Sequence, residues 1–145
     1  MILEVDIESK KDKDLIKIFI NSMGNSSNSF RYFNSRPISI IKNHICTILL
    51  ILDDKPVGYG HLDKEGNNVW FGISIIQEYI GKGQGKLIID YLIKKAVDLK
   101  VPEIKLSVDK ENISAIRLYE KYGFVKDCEK MGLLFFIRKG YEEKI

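Results

Sequence analysis

ISIIQEYIGKGQGKL, residues Ile73 to Leu87, occupies the junction that decides how this chain folds. An apolar, β-branched segment from Val69 to Ile76 leads into three glycines at alternate positions, Gly81, Gly83 and Gly85. An amphipathic run follows at once: Leu87, Ile88, Tyr91 and Leu92 recur three and four residues apart and share one helical face. The stretch reads strand, glycine turn, helix. Without a Cβ, glycine lets the backbone turn sharply and brings its N–H groups close to a bound group. A helix start adds N–H groups that lack intrahelical partners and the positive end of the helix dipole. With Lys82 and Lys86 beside them, these groups form a receptor for phosphate oxygens.

Two familiar phosphate loops do not fit. Counting G-x-G-x-x-G from Gly81 or Gly83 puts Lys86 or Ile88 where the last glycine belongs. The Walker loop needs Ser or Thr where Leu87 stands, and its opening glycine position holds Ile80.

Upstream of the turn, Met1 to Ile7 alternates apolar and polar residues and reads as an edge strand. Ser9, with Asp12 three residues on, caps a helix whose apolar face is Leu15, Ile16, Phe19 and Ile20, and Gly24 is expected to end it. Asn25 to Pro37 is a Ser/Asn loop carrying Phe30, Arg31, Tyr32, Phe33 and Arg36, aromatic enough to pack on something. Ile45 to Leu52 is a buried strand. Turns at Asp53 to Lys55 and Lys64 to Asn68 join it to strands beginning at Pro56 and Val69, an antiparallel meander. That meander argues against a doubly wound nucleotide fold, whose phosphate turn follows the first strand.

Downstream, the helix runs to about Leu99 and stops before Pro102. Glu103 to Val108 is a strand, parallel to the Val69 strand because a helix intervenes. Asn112 caps a second helix that Gly123 breaks, and strands from Phe124 to Cys128 and Leu133 to Arg138 complete the chain. The fold class is α+β, one domain over residues 1–145: an antiparallel meander joined to a parallel strand pair, with helices on both faces.

Asn112 to Phe124, NISAIRLYEKYGF, carries the second signature. Asn112 caps its helix, and its side chain can also meet a ligand. Ala115 is small enough for close approach, and Tyr119 lies two turns on, on about the same face. Tyr122 reads as packing.

Together these elements resemble the GNAT superfamily of N-acetyltransferases. The turn Ile80-Gly81-Lys82-Gly83-Gln84-Gly85 is similar to its R/Q-x-x-G-x-G/A loop, with Ile80 where the family usually carries Arg or Gln. Asn112, Ala115, Leu118, Tyr119, Gly123 and Phe124 match its N-x-x-A-x-x-L-Y-x-x-x-G-F element. The resemblance covers Val69 to Phe124. It implies acetyl coenzyme A as acyl donor, its pyrophosphate held by residues Ile80 to Lys86 and its thioester arm lying between two parted strands. It further implies that Asn112, Ala115 and Tyr119 face the arm, and that Tyr119 gives its proton to the departing thiolate, as a phenol with a pKa near ~10 can.

By offset, Ile73, Ser74 and Ile75 are the strand positions that meet the arm, with the Ile75 N–H expected to hold the oxyanion. Gly72 is expected to mark a bulge there. The implied acceptor site draws on Phe30, Arg31 and Tyr32 and on the last two strands. Glu78 and His61 are both candidates for the general base, although a solvated histidine at a strand end is the favoured reading of His61.

Composition narrows the class. Hydrophobic residues at 45% and charged residues at 30% describe an ordered domain. A net charge of +3, with no basic run interleaved with aromatics, argues against a nucleic-acid binder. Cys46 and Cys128 lack metal-ligand spacing and read as buried free thiols in a reducing compartment. Met1 to Ser9 carries three acids, so no signal peptide is expected, and Ile45 to Leu52 is too short to span a bilayer. The expectation is a cytoplasmic enzyme with no metal and no membrane partner, acting on a primary amine of a small molecule or peptide, alone or as a homodimer. The alternative is a non-catalytic module of the same fold that binds acyl coenzyme A.

Overall fold

The computed structural model describes residues 1–141. Seven strands, β1 (Ile2–Glu4), β2 (His44–Leu52), β3 (Lys55–Glu65), β4 (Asn68–Ile75), β5 (Glu103–Asp109), β6 (Val125–Lys130) and β7 (Leu133–Lys139), form one sheet. Its order is β1-β2-β3-β4-β5-β7-β6. The helices are α1 (Lys10–Asn21), α2 (Gln84–Asp98) and α3 (Ile113–Lys121).

Strands β1 to β4 are the expected meander. Asp53 and Asp54 turn β2 into β3 with φ of 49° and 62°, the two positive central angles of a type I′ hairpin. The next turn is tighter than Lys64 to Asn68: β3 runs on to Glu65, so only Gly66 and Asn67 separate it from β4. Strand β5 is parallel to β4, as the intervening helix requires, and pairs with it at a single position, Trp70 with Lys105. β7 lies between β5 and β6, antiparallel to both.

The two faces of the sheet are covered differently. On one, the α1 side chains of Ile16 and Phe19 are fully buried, and the Phe19 ring lies 5.8 Å from that of Tyr59. On the other, Gly58 and Gly60 leave the β3 backbone bare, and α2 settles on it. A Cβ on Gly60 would stand 2.6 Å from Ile88 Cγ2, and one on Gly58 2.7 Å from Ile88 Cδ1. Burying Ile88, Ile89 and Leu92 there stabilises the fold by roughly 2–3 kcal/mol per side chain. Helix α3 shares the α2 face, where Leu118 reaches toward Gly85.

Several local expectations are corrected. Helix α1 ends at Asn21, where the Ser22 N–H turns back to the Phe19 carbonyl; Gly24, with φ of 62°, opens a 3₁₀ turn instead. Residues 25–37, read as a loop, are organised by 3₁₀ turns at Gly24–Asn28 and Tyr32–Asn34, with another at Ile38–Asn43. Hydroxyls compete for the backbone there: Ser27 Oγ donates to the Gly24 carbonyl at 2.9 Å and Ser29 Oγ to that of Ser26 at 3.3 Å. Gly72 marks no bulge, because β3 and β4 stay in register along their whole pairing; the register shifts lie in the β2–β3 and β6–β7 pairings. Cys46 is buried, but Cys128 lies half-buried on the edge strand β6. Among the described residues no helix is long and apolar enough to cross a membrane.

Candidate functional site

The site begins where β4 and β5 part. The Ile76 N–H donates to the Val57 carbonyl at 2.9 Å, which sets which residues of β4 face β3. Peptide groups alternate sides along a strand, so Ser74 and Gly72 also address β3, whereas Phe71, Ile73 and Ile75 address β5. Past the Trp70–Lys105 pair the strands diverge, and the Ile73 and Ile75 N–H groups open into the gap. The Ile75 carbonyl is taken by Ser26 Oγ at 2.6 Å.

A short 3₁₀ turn, Gln77–Tyr79, leads from β4 to the glycines. Gly81 and Gly83 have φ of 81° and 84°, left-handed angles that a β-carbon resists. Gly83 is the cap residue of α2 and supplies no side chain to it. Ser9 and Asn112, in contrast, cap α1 and α3 through side-chain oxygens. The first N–H groups of α2 therefore face outward beside Lys82 and Lys86, both exposed. Ile80 is 58% exposed, and Lys82 Nζ lies 5.3 Å from the centre of the Tyr79 ring. One buried atom, Gln84 Oε1, lacks a hydrogen-bond partner among the described residues. It can only accept. The turn thus combines backbone donors suited to a diphosphate with an acceptor suited to an amide N–H or hydroxyl, the two kinds of group that coenzyme A carries in its diphosphate and pantetheine parts.

On the α2 face, Asn112 Oδ1 accepts from the Ala115 N–H at 3.3 Å, and Ala115 is half-buried. Tyr119 is 8% exposed, its ring set edge-on to Phe71 at 6.0 Å and to Phe124 at 5.7 Å. Burial pushes its hydroxyl above the usual phenol range, so it keeps its proton at neutral pH.

On the α1 face, the structure corrects the reading of His61. It lies inside β3, 3% exposed, neither at a strand end nor solvated. Its Nδ1 pairs with the Tyr59 hydroxyl at 2.7 Å, and its ring covers Gly72, where a Cβ would stand 2.4 Å from Nε2. The ring explains the glycine. Burial drives the imidazole well below its ordinary pKa, with His44 and Arg36 adding to the effect. Glu78 is elsewhere: its side chain is 73% exposed and faces Lys55 at 3.8 Å.

Beside His61 is a partly buried chain of polar groups. The Tyr32 hydroxyl donates to Asp63 Oδ2 at 2.7 Å and meets His44 Nε2 at 2.7 Å, while His44 Nδ1 meets Thr47 Oγ1 at 2.7 Å. The His44 and His61 rings lie 4.6 Å apart. Burial pushes His44 down to about 4, although Asp63 pulls it the other way. Phe30 packs on Tyr59 and His61, and Arg31 pairs with Asp109 at 3.1 Å. Phe30, Arg31 and Tyr32 are therefore anchored over the sheet beside the gap. Sequence reasoning missed His44, Tyr59, Asp63, Ser26 and Asp109. The period-two run of Tyr59, His61 and Asp63 on one face of β3 was the available signal.

Residues 13–124 match the model of the acetyltransferase (GNAT) family. Spermine/spermidine N(1)-acetyltransferase of Bacillus subtilis (strain 168) is 42% identical over 64 residues, a stretch that makes up 43% of this chain and 42% of that protein. The chain thus spans less than half the length of the curated relatives it matches. Among solved structures, Ard1 from Thermoplasma volcanium superposes with a TM-score of 0.78 at 17% identity, covering 98% of each chain. The PaiA N-acetyltransferase from Thermoplasma acidophilum, in complex with coenzyme A, gives 0.76 at 18% identity, covering 96% of this chain and 98% of that one. Likeness at such identities speaks for the fold alone.

Proposed function

The chain belongs to the acetyltransferase (GNAT) family, and from that premise we propose that it moves an acetyl group from acetyl coenzyme A to a primary amine by direct attack. The observation that carries this reading is the gap itself. Two parallel strands joined at one position open beside a glycine turn whose helix has no side-chain cap.

Acetyl coenzyme A supplies an activated thioester; the chain's residues hold, orient and move protons around it. Backbone N–H groups of residues 82–86 bind the diphosphate, and Gln84 Oε1 accepts from the pantetheine arm. Asn112 and Ala115 leave room for that arm along α3. The Ile75 N–H, with that of Ile73 behind it, receives the carbonyl oxygen on which charge builds, and such preorganised donors are among the strongest catalytic devices. Tyr119 holds its proton on the α2 face for the leaving sulfur.

The amine approaches from the α1 face, past Phe30, Arg31 and Tyr32. Of the two groups considered for the amine's proton, His61 lies over Gly72 on the α1 face, and the exposed Glu78 faces Lys55. Burial holds His61 neutral, which leaves it free to accept a proton but weakens it as a base. The partial relative named for spermine and spermidine makes polyamines the first acceptors to test.

Thiol release from acetyl coenzyme A with spermidine, amino sugars and peptide N-termini is the test. Release that tracks formation of acetylated amine supports transfer. Cofactor binding with no release above hydrolysis for any amine would favour a binding module.

A further inference from the structure

The stretch from Gly24 to Arg31 spans the gap on the α1 face, bonded at one end to β4 and at the other to β5. At the β4 end, Ser26 Oγ donates to the Ile75 carbonyl at 2.6 Å and the Asn25 N–H donates to Gln77 Oε1 at 2.9 Å. The Gln77 N–H returns to the Met23 carbonyl at 3.3 Å. At the β5 end, Arg31 holds Asp109, the last residue of that strand. The two strands that diverge are thus tied together again by a separate segment.

Ser26 is the unusual member. Ser27 and Ser29 spend their hydroxyls on carbonyls three residues back, as turn serines do, but Ser26 reaches a strand 49 residues away and is 7% exposed. An open strand edge offers both an N–H and a C=O at each outward residue, and an extended arm laid along it pairs with either. At Ile75 the hydroxyl already occupies the carbonyl. What remains toward the gap is a donor.

We propose that Ser26 is a positioning residue for acetyl transfer: it occupies the Ile75 carbonyl, so that of the two groups Ile75 turns toward the gap only the N–H is left to address the reacting carbonyl. The proposal rests on the acetyltransferase reading above. It assigns to the acceptor-side segment a part in aligning the acyl group, so that the wall beside the amine also sets the donor on the thioester.

The test compares Ser26→Thr, which keeps the hydroxyl, with its isostere Ser26→Val and with Ser26→Ala, using acetyl coenzyme A and the amine that the parent protein acetylates best. With alignment lost, kcat falls about tenfold in the Val and Ala variants, KM for acetyl coenzyme A moves by less than about threefold, and the Thr variant stays near the parent. The bond itself is read without turnover: the Ile75 carbonyl ¹³C resonance moves in the Val and Ala variants and holds in the Thr variant. An Ala variant with parental kcat overturns the proposal, and so does a Thr variant as impaired as Val, since packing alone would then account for the loss. A parent that releases no thiol with any amine overturns the acetyltransferase reading and this role with it, whereas an active parent matched by its Ala variant overturns the role of Ser26 alone.

Discussion

Tyr119 and His61 stand on opposite faces of the sheet at consecutive residues of β4, the phenol edge-on to Phe71 and the imidazole laid over Gly72. Side chains of adjacent strand residues point to opposite faces, so a group lying in the gap beside β4 has the phenol on one side and the imidazole on the other. In an amine acylation the nucleophile arrives from one side and the thiolate departs on another. In the proposed mechanism this arrangement separates the two proton movements in space.

Tyr119→Phe removes the hydroxyl and keeps the ring that packs on Phe71 and Phe124. Turnover should fall about a hundredfold, the lower range for loss of a general acid. Calorimetric affinity for coenzyme A and the melting temperature should both hold. Steady-state thiol release at neutral pH checks this, and unchanged turnover removes Tyr119 from the mechanism.

Gly83→Val tests the turn. At φ of 84° a β-branched residue is strained by roughly 1–3 kcal/mol, and the loop must relax away from the geometry that gathers the N–H groups. Coenzyme A affinity should weaken about tenfold or more by titration calorimetry. The Cβ meets no other atom within 4 Å, so the circular dichroism of the folded state should be retained. Full affinity would place the diphosphate elsewhere.

Gly72→Ala drives a methyl into the His61 ring, which is fully packed and bonded to Tyr59. Overpacking of this kind costs roughly 1–3 kcal/mol, visible as a lower denaturation midpoint. Turnover should fall as well, because the imidazole must move to make room. A variant as stable and active as the parent would mean that the glycine owes nothing to the histidine.

Acid should destabilise the fold before its carboxylates titrate. His44 is pushed down to about 4 by burial, against the pull of Asp63, whereas an unfolded imidazole takes its proton near ~6.5. Between those values the unfolded chain binds a proton that the folded chain refuses, so stability is complete above about pH 6.5 and is lost as pH falls toward about 4. The loss from His44 is of the order of 3 kcal/mol, and His61, also driven down by burial, adds to it. Melting temperatures measured from about pH 7 to about pH 4.5 should decline, and His44→Gln should flatten the slope. A flat profile in the parent would show that neither histidine is buried neutral.

Legibility followed locality. The meander, the parallel strand and the helix starts at Ser9 and Asn112 were readable because alternation, turn residues and caps act within a few residues. The glycine turn ahead of α2 was readable as a typed spacing. What failed was whatever depends on a partner distant in sequence. Gly72 is a glycine because of a ring eleven residues earlier, not because its strand bulges. His61 looked like a strand-end residue because a turn was expected to open at Lys64, but β3 continues to Glu65 and the aromatic segment closes over it. The 3₁₀ turns of residues 24–43 were hidden because Ser and Asn favour several local hydrogen-bond patterns about equally.

The single rung between Trp70 and Lys105 also has a mechanical meaning. Strands β1 to β4 form one panel and β5, β7 and β6 another, and main-chain bonding fastens the panels at one point near their base. On the proposed function, an arm inserted between them would supply the missing rungs. Occupancy should therefore stiffen the whole molecule, raising its melting temperature and slowing exchange of the amides on both panels at once.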